Sequence, residues 1–342
     1  MSQPSVFKSR YYWAVVVAAI IAAVAMWCRR GAPRYLLDEG VVWTTSYHIT
    51  YQAAHPLSDS IQAVLDAVDR SASMFNKNSL LTAINANATD SVDDIVARLM
   101  DCAARVNSKS GGAYDPTVKP LVALWGFGRD SVNAVPSRDA IDSVLAFVGM
   151  DKIELKNGHI VKSDPRVQLD FSSIAKGLAC DMVADMLRRN GVENYVVEIG
   201  GEVVSRGVNP NGKPWTVSID DPVTSTVSQS DHTPLLVVEA AGLAVATSGN
   251  YRRWRQDGSR RVSHIIDPAT GNAAVSDLVS VTIIARDCMT ADAWATACMA
   301  MGAERTQTLL KDVPNPAVMT VTLDSLDRRV LWSNAAFAAL LH

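Results

Sequence analysis

Cysteine is scarce in this 342-residue chain. Five are present, Cys28, Cys102, Cys180, Cys288 and Cys298, with no Cys-x-x-Cys pair and no grouping with histidine at zinc-site spacing. That pattern gives no disulfide framework and no structural zinc site. Cys102, Cys180 and Cys298 fall in apolar, helix-like patterns, where a thiol packs as a small hydrophobe. Proline (14) and glycine (19) are not in excess, and no repeat or low-complexity stretch occurs, so collagen-like, solenoid and mainly disordered chains are excluded. Gly-x-Ser-x-Gly, His-Glu-x-x-His and P-loop motifs are missing. Trp125-Gly126-Phe127-Gly128 lacks the further glycine and the clear preceding strand of a dinucleotide fingerprint.

Charge of one sign is lacking overall, with 32 basic and 35 acidic residues, but it is unevenly spread. Residues 1–34 hold Lys8, Arg10, Arg29, Arg30 and Arg34 and no acid. The rest retains 27 basic against 35 acidic residues, a net charge of −8 and the wrong sign for a nucleic-acid surface. Between the early cations, residues 11–28 form an uncharged run rich in Val, Ile and Ala. As a helix it spans roughly 27 Å, close to a bilayer's hydrocarbon thickness. The first reading is a transmembrane signal anchor over residues 1–34, ahead of one domain over residues 35–342. Two others stay open: a cleaved signal peptide, from the small-x-small Ala23-Val24-Ala25, and a lipoprotein at Cys28, against which Trp27 counts.

The remaining periodicity gives strands and helices in alternation. A strand is expected over residues 41–51, and an amphipathic helix over 58–73 with Ile61, Val64, Leu65 and Val68 on one face and Ser58 as N-cap. A second helix covers 92–109 and stops at Gly111-Gly112, residues 113–130 read as loop, and 137–148 as helix. A hairpin turns at Asn157-Gly158. A helix follows over 172–190, then strands over 195–199, 202–206, 215–219, 235–240 and 279–285, helices over 291–301 and 303–311, and strands over 317–323 and 329–333. Residues 221–234 read as a surface loop. Hairpin-linked strands broken by helices define an α+β class with mixed, mainly antiparallel sheets.

Several segments carry candidate chemistry. Tyr114-Asp115-Pro116-Thr117 and Trp125-Gly126-Phe127-Gly128 make backbone-exposing loops with aromatics, suited to a flat heterocycle. Leu169-Asp170-Phe171-Ser172-Ser173-Ile174-Ala175-Lys176-Gly177 runs into a helix start that can serve a phosphate or simply be capped. Asp292 and Thr296 share one face of a helix, and hard oxygens of this kind suit Mg²⁺, although Asp292 would also serve a helix N-terminus. His264 precedes the turn Asp267-Pro268-Ala269-Thr270-Gly271, and Thr247-Ser248-Gly249-Asn250-Tyr251 reads as a turn beside Arg252, Arg253 and Arg255.

In this order, and with Glu198-Ile199-Gly200-Gly201, these motifs resemble the FAD:protein FMN transferase (ApbE) family over about residues 41–335. The resemblance implies an ApbE-like (T-fold-like) flavin-binding domain on the extracytoplasmic side of the cytoplasmic membrane. It implies Mg²⁺-dependent splitting of FAD, with AMP released and FMN attached through a phosphoester to a Thr or Ser of a target flavoprotein, such as a subunit of a membrane redox pump or an extracytoplasmic electron-transfer protein. Family metal ligands fall on Asp292, Thr296 and Ser173, the last through its carbonyl. FAD contacts fall on Trp43, Phe75, Trp125, Gly126, Phe127, Asp170, Lys176 and Ile266, and His264 falls on the position of the base. Two departures stand out: Trp43-Thr44-Thr45 replaces a common Met-Gly-Thr, and Phe75 stands where many members have Tyr. The alternatives are the same site acting on water as an FAD pyrophosphatase, and a non-catalytic, membrane-tethered flavin-binding protein.

Overall fold

The computed structural model describes residues 13, 15–19, 33–127, 135–222, 234–249, 254–257, 260–263, 265–274 and 276–341. Trp13 and residues 15–19 are helical, and most of the expected anchor lies outside the described residues. Among the described residues no helix is long and apolar enough to cross a membrane.

The chain opens with β1 (Arg34–Val42) and β2 (Thr45–Ala53), followed by helices α1 (Ser58–Ala72), α2 (Leu80–Asn85), α3 (Asp94–Ser110), α4 (Lys119–Leu124) and α5 (Arg138–Leu145). A hairpin of β3 (Ile153–Lys156) and β4 (His159–Lys162) precedes helix α6 (Ala175–Arg189). Then come β5 (Tyr195–Ile199), β6 (Glu202–Arg206), β7 (Thr216–Asp220), β8 (Pro234–Glu239) and β9 (Ala244–Gly249). Next are β10 (Trp254–Asp257), β11 (Arg260–Ser263), β12 (Leu278–Ala285), helix α7 (Cys288–Leu310), β13 (Ala317–Leu323), β14 (Arg329–Ser333) and α8 (Ala335–Ala338).

One eight-stranded sheet, in the order β1-β2-β5-β6-β9-β12-β13-β14, organises the molecule. Every neighbouring pair in it is antiparallel. Side chains alternate across it, as the two-residue strand period requires. On one face α1 and α6 pack Ile61, Leu65, Val68, Val183 and Leu187 against Ile49, Tyr51, Val197 and Ile199. Beside them α3 and α7 cover Val281, Ile283 and Val318. On the other face Val203, Val245, Ile284 and Met319 meet Ile219 and Val238 of the β7–β8 hairpin and Phe337 of α8.

The mixed α+β class is borne out, with several local corrections. Residues 41–51 are two strands, because Val42 pairs with Thr45 and the chain reverses at Trp43-Thr44. Neither residue announces a turn, yet both adopt positive φ, 48° and 68°. Ser58 is not the N-cap of α1. Leu57 holds that position, and its amide donates to the Tyr51 hydroxyl at 2.8 Å. Residues 113–130 include α4, and Thr247-Ser248-Gly249 ends the central strand β9 rather than forming a turn. Helix α6 starts at Ala175 because residues 170–174 form a tight turn, in which Asp170 accepts the Ser172 amide. The two helices expected over 291–301 and 303–311 fall in α7, which begins three residues earlier and is interrupted at Gly302, φ 76°.

Candidate functional site

The centre of the site lies where the first turns of α6 and α7 touch. A Cβ on Gly177 would lie 2.5 Å from the Cys288 carbonyl oxygen, so glycine at this point lets the two helices meet. Across the contact, the Gly177 amide donates to Asp292 Oδ2 at 3.3 Å. Asp292 is not the helix cap, since Asp287 accepts the Thr290 amide. Its carboxylate is therefore not spent on capping α7. Lys176 Nζ stands 3.6 Å from Asp292 Oδ2 and 3.0 Å from Glu202 Oε1. Asp292 and Glu202 are both buried.

Burial pushes the pKa of Glu202 and of Asp292 above the ordinary carboxylate range, with Lys176 opposing it in each case. Burial alone would lower the Lys176 pKa, but the two carboxylates outweigh it and hold the ammonium charged. One ammonium thus serves two buried acids. Glu202 Oε2 has no hydrogen-bond partner among the described residues. Half-buried Thr296 projects one turn beyond Asp292 on the same helix. This deficit of positive charge, among carboxylate and hydroxyl oxygens, fits a hard divalent cation such as Mg²⁺, which is held by one or two carboxylates with substrate phosphate completing its shell.

Two loops frame the centre. The 169–173 turn is pinned by Asn85, whose side chain accepts the Leu169 amide at 2.7 Å and donates to its carbonyl at 2.8 Å. The buried Tyr114 hydroxyl lies 3.2 Å from Ser173 Oγ, and the Asp170 amide donates to the Pro116 carbonyl at 2.7 Å. Asp115 holds this loop by accepting the Thr117 amide and hydroxyl at 2.7 and 2.6 Å. Burial also raises the pKa of Asp170. On the other side, Trp43 and Ala175 pack in one apolar cluster, and Gly200 (φ 61°) sits so close that a Cβ there would lie 2.9 Å from Thr45 Oγ1 and 3.1 Å from Lys176 Cδ. The Trp43 indole nitrogen is buried without a partner among the described residues.

A separate aromatic wall is formed by Trp125, Phe127 and Ile266, which share a cluster with Leu121, Ile141 and Val148. Trp125 Nε1 donates to the Gly271 carbonyl at 2.8 Å, tying the wall to the 267–271 turn, and Gly126 follows with φ 84°.

The expected residues therefore fall into groups. Lys176 and Asp292 meet directly, Asp170, Ser173 and Trp43 lie on the turns around them, and Trp125, Gly126, Phe127 and Ile266 form the wall. Phe75 is 55% exposed and belongs to none of the apolar clusters. His264 lies outside the described residues, between β11 and Ile266. Sequence reading missed Glu202, although the Gly200-Gly201 pair leading an acid into a buried strand was a visible sign.

Solved flavin transferases share this helix-backed antiparallel sheet. The flavin transferase ApbE from Vibrio cholerae superposes with a TM-score of 0.80 at 33% identity, over 90% of this chain and 100% of that one. The flavinyl transferase ApbE of Pseudomonas stutzeri, in its apo form, gives 0.81 at 31% identity, over 90% and 97%. The chain belongs to the ApbE family, whose model matches residues 43–320. A Vibrio cholerae FAD:protein FMN transferase is 34% identical over 322 residues, 91% of this chain and 94% of that relative. The Escherichia coli K12 protein of the same name is 33% identical over 311 residues, covering 88% and 87%.

Proposed function

We propose that this protein is an FAD:protein FMN transferase acting with Mg²⁺. The observation that carries the reading is the buried Lys176–Glu202–Asp292 centre, which has more carboxylate than ammonium. Asp292, Thr296 and Ser173 would hold the ion, and Mg²⁺ would supply charge neutralisation on the FAD pyrophosphate. Lys176 orients Asp292 and adds positive charge beside the phosphates. Trp43, Phe75, Trp125, Gly126, Phe127, Asp170 and Ile266 hold the flavin nucleotide, and His264 accepts the proton of the acceptor hydroxyl. The hydroxyl oxygen of a Thr or Ser on a target flavoprotein attacks the FMN phosphorus as the bond to AMP breaks. Catalysis of this kind rests mainly on positioning and charge neutralisation.

The uncharged run at residues 11–28 supports a retained membrane anchor over residues 1–34, and the family resemblance favours the extracytoplasmic face for the domain of residues 35–342. There it would meet target subunits of membrane redox pumps or extracytoplasmic electron-transfer proteins.

The test mixes the full-length chain with FAD and Mg²⁺, with and without a Thr-containing acceptor protein, and follows AMP release and acceptor mass. An acceptor gaining the mass of FMN minus water is the expected result. AMP and free FMN with an unmodified acceptor would make the protein an FAD pyrophosphatase, and tight FAD binding with neither product would make it a flavin carrier. His264→Ala should lower transfer far more than FAD affinity, and an equal loss of both would remove the base assignment.

A further inference from the structure

A cavity of about 320 Å³ opens along α6 from Asp181 to Arg188, walled also by α3, the β5–β6 strands and residues 286–289 at the start of α7. Lys176 and Arg188 stand twelve residues apart on α6, about 18 Å along the helix. Five guanidinium groups line the cavity, from Arg98, Arg105, Arg188, Arg206 and Arg286, against the carboxylates of Asp181, Asp185 and Asp287. In a chain of net charge −3 this is a local reversal of sign.

The three acids are already engaged. Asp181 accepts the Cys288 and Met289 amides at 2.8 and 2.9 Å, Asp287 accepts the Thr290 amide at 2.8 Å, and Asp185 pairs with Arg188. Among the described residues Arg206 pairs only with Glu193, 67% exposed at its side chain, an ion pair of small worth. No carboxylate lies within ion-pair distance of Arg98, Arg105 or Arg286 among the described residues. Unpaired guanidinium groups converging on a concave space match phosphate oxygens, which arginine takes in bidentate fashion. The volume is in the range of small-ligand sites.

We propose that this cavity binds a small anion carrying two phosphate groups, at a site distinct from the flavin centre. Asp181 in its lining also holds the first amides of α7, the helix of Asp292 and Thr296, so an occupant here adjoins the same helix pair that builds the centre.

The test is calorimetric titration of inorganic pyrophosphate into the full-length chain, saturated with FAD and without Mg²⁺. One pyrophosphate per chain should bind with FAD in place. Binding should weaken about tenfold in Arg105→Ala and in Arg286→Ala, and vanish in the double variant. Both arginines are exposed, so these variants retain the fold. ADP in a parallel titration separates the sources: tighter binding than pyrophosphate assigns a nucleotide, equal or weaker binding a free diphosphate. The proposal falls if the variants bind as the parent does, if FAD competes, if orthophosphate binds as tightly as pyrophosphate, or if nothing binds. Because the readout is binding and not turnover, it stands apart from the transferase assignment.

Discussion

The two ends of helix α6 handle charge in opposite ways. At its first turn Lys176 is enclosed with two buried carboxylates, and cation is in deficit. Near its end Arg188 lines a cavity where guanidinium groups outnumber acids and three of them have no ion-pair partner among the described residues. A desolvated group must be compensated inside the protein, whereas a solvated one is compensated by water and counter-ions. The first end is thus part of the fold's stability as well as its chemistry, and the second is available to a ligand at little cost to the fold.

The largest change expected from breaking this contrast is Lys176→Met, which leaves Glu202 and Asp292 facing each other without their shared ammonium. It should lower unfolding free energy by about 3 kcal/mol in denaturant titration, and an unchanged midpoint would show that the ion pairs contribute nothing. Asp292→Ala should cut Mg²⁺-dependent AMP release by about 100-fold or more, roughly 2.7 kcal/mol of barrier. Full turnover at saturating Mg²⁺ would remove Asp292 from the metal site.

Asp181 sits between the two ends, and burial pushes its pKa up to about 7. Below pH of about 4 the folded and unfolded chains both carry this proton; as pH rises the unfolded chain releases it first, so the stability it contributes is lost between about pH 4 and 7. Asp181→Asn should flatten that slope in melting temperature against pH, and a variant with the parental slope would place its origin elsewhere. Smallest of all, Arg105→Ala at the exposed end should shift stability by less than about 0.5 kcal/mol. A larger loss would mean that the arginines are structural and would erase the contrast.

Most elements of the fold were legible because they carry ordinary signals. Asn157-Gly158 announced its hairpin, and both residues adopt the positive φ that a two-residue turn requires, 53° and 78°. Trp43-Thr44 makes the same turn without either signal. L-residues pay roughly 1–2 kcal/mol each in that region, and only contacts made after folding, such as Thr45 against Gly200 and Trp43 packed on the α1–α6 core, can hold them there. That turn was illegible because its cause is tertiary. The same holds for β9, whose Ala-Val-Ala-Thr-Ser-Gly is too weakly apolar to declare a central strand until β6 and β12 flank it. At the site, Asp292 and Lys176 were legible as types in a pattern. Their meeting with Glu202 was not, because it depends on the close approach at Gly177 and on the register that ends β5 and begins β6.

The strand order also dictates when the centre can exist. Pairs β1–β2, β5–β6 and β13–β14 close as local hairpins, but β2–β5, β6–β9 and β9–β12 join strands separated by whole helices or hairpins. Such distant pairings carry a loop-closure entropy that is recovered only after the contact forms, and they set the slow step of folding. Lys176, Glu202 and Asp292 lie before β5, on β6 and after β12, so no local fragment can bring them together. During synthesis the centre is complete only after the chain has emerged past Asp292, and its three charges remain hydrated and apart until the sheet closes over them.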